Sequence, residues 1–457
     1  VASNPYQSPA AARPAPSALP ASSYWRIVVL LMLVVGTGHF NRVGMSVAGT
    51  ERIIPQYQLP PAQMGLVYTA FLVCYTLAML PCGWLIDRWG ARNALLAYGF
   101  ASAGFVALTG CVGLVWHEAR DVWLGLLVVR SLMGITNAPL HPASARLVFT
   151  HVPARAKSLA NGLVTFAACV GIAATYYVLG TFIDRWDWPR SFLICSGATV
   201  LVASVWLLGT RSDVPGAARG DAQSTAIAAP RLADMLRLLS HPSIVLITLS
   251  YAALGFFQYL FFYWIEYYFE TIQKQGVEIA RQYATLTTLA MGVGMVLGGW
   301  LADRVPATLS PRLGRGLVPA LGMFASGAVF ELGLLSPDMR ITLAAFALAA
   351  ALIGACEGAF WTTVVELGGP FGGTAAGLMN TGGNAGGALS PYVLPLLSAY
   401  FAKQFGDEMG WRIGLSVAGA ISVLGALMWL GIRPTEPIDP SPLSPVVHDR
   451  SSPARDK

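Results

Sequence analysis

GWLIDRWGAR at residues 83–92 has a counterpart further down the chain, GWLADR at 299–304. Each hexapeptide closes an apolar run: the first ends the second such run, the other ends the eighth. One repeated hexapeptide carries little weight alone. Equivalent placement in two sets of six runs indicates duplication, and it decides how the rest of the chain is read. The runs are about 20 residues long, the length an α-helix needs to cross a hydrocarbon core of ~30 Å.

Composition agrees. Of 457 residues, 55% are hydrophobic and 11% charged, whereas soluble domains carry about 25% charged residues. Only helices and closed barrels satisfy their backbones in lipid, and these runs lack the polar/apolar alternation of barrel strands. The chain therefore reads as an all-α polytopic membrane protein. Twelve spans fall near 25–48, 62–86, 93–116, 121–149, 156–183, 188–210, 242–269, 281–302, 316–336, 340–366, 374–402 and 410–432. The expected division is a disordered tail (1–24), a six-helix bundle (25–210), a cytoplasmic linker (211–241), a second six-helix bundle (242–432) and a disordered tail (433–457). The net charge of +6 does not point to nucleic acid, because the cations lie between apolar runs. Arg88, Arg92, Arg146, Arg155 and Lys157 concentrate on one side with the linker arginines, which places both termini in the cytoplasm. The six cysteines, Cys74, Cys82, Cys111, Cys169, Cys195 and Cys356, sit inside apolar segments without metal-type spacing and read as packing residues. No nucleophile–base constellation or phosphate loop appears, so an enzyme is not expected, nor is any cofactor or metal.

The first copy fits G-x-x-x-D-R-x-G-x-R, and after the second of twelve spans it resembles the signature loop of the major facilitator superfamily (MFS). The resemblance covers about 25–432. It implies two six-helix halves that rock around a central site, and a gating role for Asp87, Arg88 and Arg92. The second copy, with Asp303 and Arg304, lacks the following Gly-x-Arg. Gly83 is expected to let helices approach closely. TNAPLHPASARLV (136–148), ANGLVTFAACVG (160–171), FFYWIEYY (261–268) and GLMNTGGNAGGALSPYVLPLL (377–397) resemble helices 4, 5, 7 and 11 of the anion:cation symporter branch, whose members carry organic anions such as sugar acids.

In that architecture spans 1, 4, 7 and 10 line the cavity, and ionisable residues deep in a span usually face one. Span 1 carries His39, Asn41 and Arg42; span 4 carries Arg130 and Asn137. Span 7 offers Tyr259, Tyr263, Trp264 and Glu266, and span 10 holds Glu357 and Glu366. Glu331 lies inside a different span. A guanidinium is always charged and binds a carboxylate through paired hydrogen bonds. Arg42 and Arg130 are therefore candidates to hold an anion. Snorkelling of Arg42 to the interface and an internal ion pair for Arg130 are the rival readings. Resemblance adds Tyr75, Trp361, Asn380 and Asn384 as ligand-facing positions, with interhelical packing the alternative for Trp361 and Asn380. Glu266 is expected near the outer interface.

Two departures stand out. Sugar-acid symporters of the branch carry an aspartate before the helix 1 arginine and a glutamate seven residues after the helix 4 arginine; here those positions hold Asn41 and Asn137, and an amide cannot titrate. The usual helix 5 Asn and Gln positions are Thr165 and Ala168. Either coupling has moved to His39 or Glu357, or the protein is a uniporter or exchanger independent of protons. The expected function is secondary transport of a small organic anion by alternating access in the cell inner membrane, as a monomer. A non-transporting sensor or lipid-handling protein on the same scaffold is the competing class.

Overall fold

The computed structural model describes residues 21–153, 156–210, 240–308, 311–369 and 372–433. Both expected tails and the linker fall almost wholly outside the described residues. What is described is nearly all helix. Spans 1 to 3 are Ala21–Ala48, Pro61–Trp89 and Ala91–Val115. Span 4 comes in two pieces, Ala119–Asn137 and Leu140–His151, broken beside Pro139. Span 5 is Lys157–Ala174 with a π-helical turn, Thr175–Leu179, and runs into Gly180–Gly209, which contains span 6. The second half comprises Pro242–Tyr263, Val277–Thr308, Pro311–Leu335, Met339–Gly368, Gly372–Phe405 and Asp407–Met428 for spans 7 to 12.

By length and hydropathy alone, ten helical stretches qualify as crossings, and two physical reasons account for the difference from twelve. Leu159–Gly209 is one continuous stretch of 51 residues. Asp187, with φ 63°, reverses the chain there and caps the next helix through its own Oδ1, which accepts from Trp188 N at 2.8 Å. The stretch is thus a hairpin of two crossings. Span 11, at 34 residues, is long enough but diluted by glycines.

The duplication is visible in how the spans pack. In the first half span 1 packs on span 5, span 2 on span 4 and span 3 on span 6; in the second, 7 packs on 11, 8 on 10 and 9 on 12. Each pairing in one half has its counterpart six spans later. Spans 2 and 11, and spans 5 and 8, meet across the halves. The protein is an all-α, multi-pass membrane protein of two six-helix halves.

The two ends of the bundle differ. At the end away from the N-terminus of span 1 the halves interlock. Ser46 Oγ donates to the Phe262 carbonyl at 3.1 Å, and Tyr176 OH to the Phe261 carbonyl at 3.3 Å. Arg281 Nε and Nη2 hold both oxygens of Glu51 at 2.6 and 2.9 Å, and Arg281 Nη1 reaches Asp184 Oδ2 at 2.7 Å. Span 11 is shaped for this end by two prolines. Pro395 has no N–H to offer the Pro391 carbonyl; Trp264 Nε1 takes it at 3.0 Å, so the freed acceptor joins spans 7 and 11. Gly65 of span 2 lies directly over the same carbonyl. At the opposite end the halves part around a cavity.

The signature loop occupies that parted end, and one expectation about it is corrected. A side chain at Gly83 would meet nothing within 4 Å, so this glycine is not at a close helix crossing while the halves stand apart there. Arg92 Nε donates to Thr210 Oγ1 and O at 2.9 and 3.2 Å, and its Nη2 to the Leu207 carbonyl at 3.3 Å, tying span 3 to the last turn of span 6. Arg88 is exposed. The side chains of Asp87, Asp303 and Arg304 lie outside the described ones.

Candidate substrate-binding site

The cavity between the halves measures about 470 Å³, a size that suits a small ligand. Spans 1, 2, 4, 5, 7, 8, 10 and 11 all contribute to its wall. Its mouth passes Asn161, Gly162, Thr165 and Trp361, each exposed; its far end is sealed by the interlock at Ser46 and Phe262.

Arg42 stands in the wall, half-buried. Its Nη2 donates to Tyr259 OH at 2.5 Å, a bond from span 1 to span 7 and hence between the halves. The guanidinium also lies over the rings of Tyr259, Tyr75 and Phe71, with centroids 5.2, 5.4 and 5.6 Å away. Aromatic faces offset part of the cost of holding a cation away from bulk water. Among the described residues lining the cavity, Arg42 is the one permanent cation and Glu357 the one carboxylate.

Arg130 does not join it there. It is 2% exposed, and its Nη1 and Nη2 donate to the carbonyls of Asn41 and Arg42 at 3.3 and 2.7 Å. It braces the backbone that presents Arg42, from behind. Asn41 also points away from the cavity, donating to Thr199 Oγ1 of span 6 at 2.8 Å. Asn137 turns back on its own helix, to the Met133 carbonyl at 2.8 Å.

The histidines do converge. His39 Nε2 and His141 Nε2 are 3.4 Å apart, with rings edge-to-face at 70°. His39 Nδ1 lies 3.1 Å from the Val35 carbonyl. A carbonyl only accepts, so Nδ1 carries a proton; when both rings are neutral, the Nε2 lone pair of His39 faces His141 and accepts from its Nε2–H. Both line the cavity beside Arg42. His141 was not singled out from the sequence, though it stands in TNAPLHPASARLV one helical turn after Asn137. That spacing was the available signal.

On the opposite wall, Glu357 Oε1 accepts from Tyr251 OH at 2.5 Å and from Trp361 Nε1 at 3.2 Å. Its Oε2 is buried and, among the described residues, has no hydrogen-bond partner. Among the described residues no arginine pairs with it. Asn380 and Asn384 also line the cavity, and their Nδ2 atoms reach Met79 Sδ of the other half at 3.9 and 3.5 Å. Thr165 and Ala168 form part of the span 5 wall. Tyr259, singled out from the sequence, and Gln258, which was not, complete it from span 7.

Elsewhere, Glu331 Oε2 accepts from Ser416 Oγ at 2.8 Å, joining spans 9 and 12. Glu366 is exposed near the end of span 10. Glu266 is no interfacial residue: it is 3% exposed, within the sealed end.

The probable galactarate/D-glucarate transporter of Escherichia coli is 25% identical over 432 residues, covering 89% of this chain and 93% of the relative. The D-galactonate transporter of the same species is 25% identical, covering 91% and 97%. The probable sulfoacetate transporter of Cupriavidus necator is also 25% identical, covering 90% and 94%. Among solved structures, a bacterial homologue of the human lysosomal transporter Spinster superposes with TM-score 0.75 at 17% identity, covering 92% of this chain and all of that one. The D-xylose–proton symporter gives 0.68 at 16% identity, covering 90% and 98%. Residues 28–391 match the Major Facilitator Superfamily profile. With that match spanning most of the chain, and span pairings that repeat at an offset of six, the chain belongs to the Major Facilitator Superfamily.

Proposed function

We propose that the protein is a secondary transporter of a small organic monocarboxylate bearing hydroxyl groups, an aldonate-like sugar acid, moved by alternating access across the inner membrane. The carrying observation is the polarity of the cavity: Arg42 on one wall, Glu357 on the other, amides and aromatic hydroxyls between. One ligand carboxylate pairs with Arg42. The rest of the ligand then faces Glu357, Asn380, Asn384 and Trp361, which suit hydroxyls and would repel a second carboxylate. The three relatives are named for sugar acids or a sulfonated acid, which supports an organic-acid substrate; galactarate, D-glucarate and sulfoacetate carry two acid groups, so the monocarboxylate assignment rests on Glu357. With both termini cytoplasmic, the described state faces inward and the sealed end faces outside. In this reading Arg130 positions Arg42 rather than touching the ligand.

Coupling is assigned to the His39–His141 pair. An anion on Arg42 makes a positive charge on the neighbouring imidazoles less costly. Arrival of the anion and of a proton therefore favour each other, the reciprocity required of symport.

The test is binding to purified protein followed by flux in proteoliposomes, comparing galactonate with galactarate. Galactonate is expected to raise the thermal midpoint and to be taken up; galactarate is expected to bind at least tenfold more weakly. Arg42→Ala should weaken galactonate binding by about 30-fold or more, the loss that follows from leaving a buried carboxylate without its cation. Equal binding of both acids would remove the monocarboxylate assignment, and undiminished uptake by Arg42→Ala would remove the anchor.

A further inference from the structure

At the sealed outer end, four carboxylates (Glu51, Asp184, Glu266 and Glu270) cluster around two arginines, Arg281 and Arg52. Glu51, at the π-helical turn after span 1, is fully buried and gripped at both oxygens by Arg281 of span 8. Asp184, at the end of span 5, takes the third Arg281 donor and, at 3.3 Å, Arg52. Those two cations are thereby committed to two carboxylates. Two further carboxylates share the same end, Glu266 and Glu270, from the segment that follows span 7.

Glu266 is 3% exposed, and neither of its oxygens has a hydrogen-bond partner among the described residues. The charged groups acting on it are Glu51, Glu270 and Arg281. The tyrosines Tyr68 of span 2 and Tyr176 of span 5 face it from the first half. Burying an unpaired carboxylate as an anion costs several kcal/mol, and here two carboxylates stand beside it. Burial and Glu51 also push the Glu270 carboxyl up to about 7, even with Arg281 and Arg52 nearby.

We infer that the outer gate contains a proton-binding site, Glu266, filled from the outside each time the gate closes and emptied to the outside each time it opens. The inference rests on the alternating-access reading and is separate from the histidine pair. The sign follows from the two environments. In an open gate the carboxylates are solvated and titrate near 4; in the closed gate the neutral form is the one that fits. The closed state is therefore fully supported below about pH 4, and it loses that support as the external pH rises toward the closed-state value. Between those limits each proton shifts the open–closed balance tenfold per pH unit. The site exchanges only with the outside, so it adds no proton to the transport stoichiometry. It sets how often the outer gate opens.

The test needs no substrate. In right-side-out membrane vesicles, Ser46→Cys reports gate opening by its reaction with a membrane-impermeant maleimide, and the exposed loop variant His117→Cys supplies the intrinsic pH dependence of the reaction. Expected is a normalised labelling rate that rises at least about tenfold per unit of external pH between 5.5 and 7.5. Glu266→Gln, an isostere of the neutral acid, should remove about tenfold per unit, and Glu266→Gln with Glu270→Gln should leave the rate flat. A pH-independent rate in the parent would overturn the site without recourse to any Glu266 variant. So would a slope that Glu266→Gln leaves unchanged, or a rate that follows sodium at constant pH. If Ser46→Cys never labels under any condition, the alternating-access reading itself falls and takes the gate site with it.

Discussion

Asn41 and Asn137 stand where the resemblance to sugar-acid symporters implies titrating carboxylates, yet neither amide faces the cavity; one bonds Thr199 and the other its own helix. Each has a histidine within about a turn of it, and those histidines are the side chains that meet. In the proposed reading these cavity-lining histidines take the coupling role that the two amides cannot. His141→Gln or His39→Gln should therefore keep galactonate binding within about threefold at pH 7.5 but abolish its strengthening toward pH 5.5, measured as Kd against pH. A variant that retains the full pH dependence would return coupling to Glu357, and Glu357→Gln would then remove it. Legibility at this scale was uneven. Arg42 and Glu357 were evident because a charge inside a run of apolar residues is costly and few are present. Arg130 was evident as a residue but not as a brace, since nothing local distinguishes a guanidinium facing a ligand from one facing carbonyls. The Glu51–Arg281 pair could not be read at all: 230 positions separate its members, and both fall at the ragged ends of runs.

Among the elements, small residues divide into two mechanical groups. Gly294 of span 8 lies over the Ala351 carbonyl of span 10, inside one half. Gly65 of span 2 lies over the Pro391 carbonyl of span 11, across the halves and at the sealed end. An added methyl at either place must displace backbone, at about 1–3 kcal/mol. The two costs appear in different measurements. Gly294→Ala should lower the thermal midpoint of the protein in every state, because that crossing is present in both. Gly65→Ala should raise outer-gate labelling about 5- to 100-fold, because only the sealed arrangement is penalised, whereas Gly294→Ala should leave labelling unchanged. Equal effects on both readouts would mean that the span 2–span 11 crossing persists throughout the cycle. The spans themselves were legible, since length and hydropathy suffice for most of them. The hairpin at Asp187 was marked only by its Trp-Asp-Trp-Pro setting, and the shaping of span 11 by Trp264 required knowing which indole reaches the acceptor left by Pro395.

For the whole molecule, the twelve spans followed from the apolar runs, and the near-repeat GWLIDR/GWLADR at equivalent positions confirmed their division into two halves. The conformational state did not follow. The same residues must serve an open and a sealed outer gate, so no pattern in them can favour one; only the positions of Arg281, Pro391 and Phe262 reveal which is present. The arrangement of the cavity has a further consequence in electrical terms. With Glu357 ionised, Arg42 and Glu357 cancel, and reorientation of the empty cavity moves no net charge from these two groups. A bound monocarboxylate makes the loaded form an anion, which a membrane potential negative inside opposes by up to ~2.3 kcal/mol per 100 mV. One proton on the histidine pair restores neutrality. Galactonate uptake driven by a pH gradient should then be unchanged when a potassium diffusion potential of either sign is imposed. In His141→Gln the same potential should slow uptake when the interior is negative and speed it when positive, so the voltmeter would read directly whether the imidazoles carry the compensating charge.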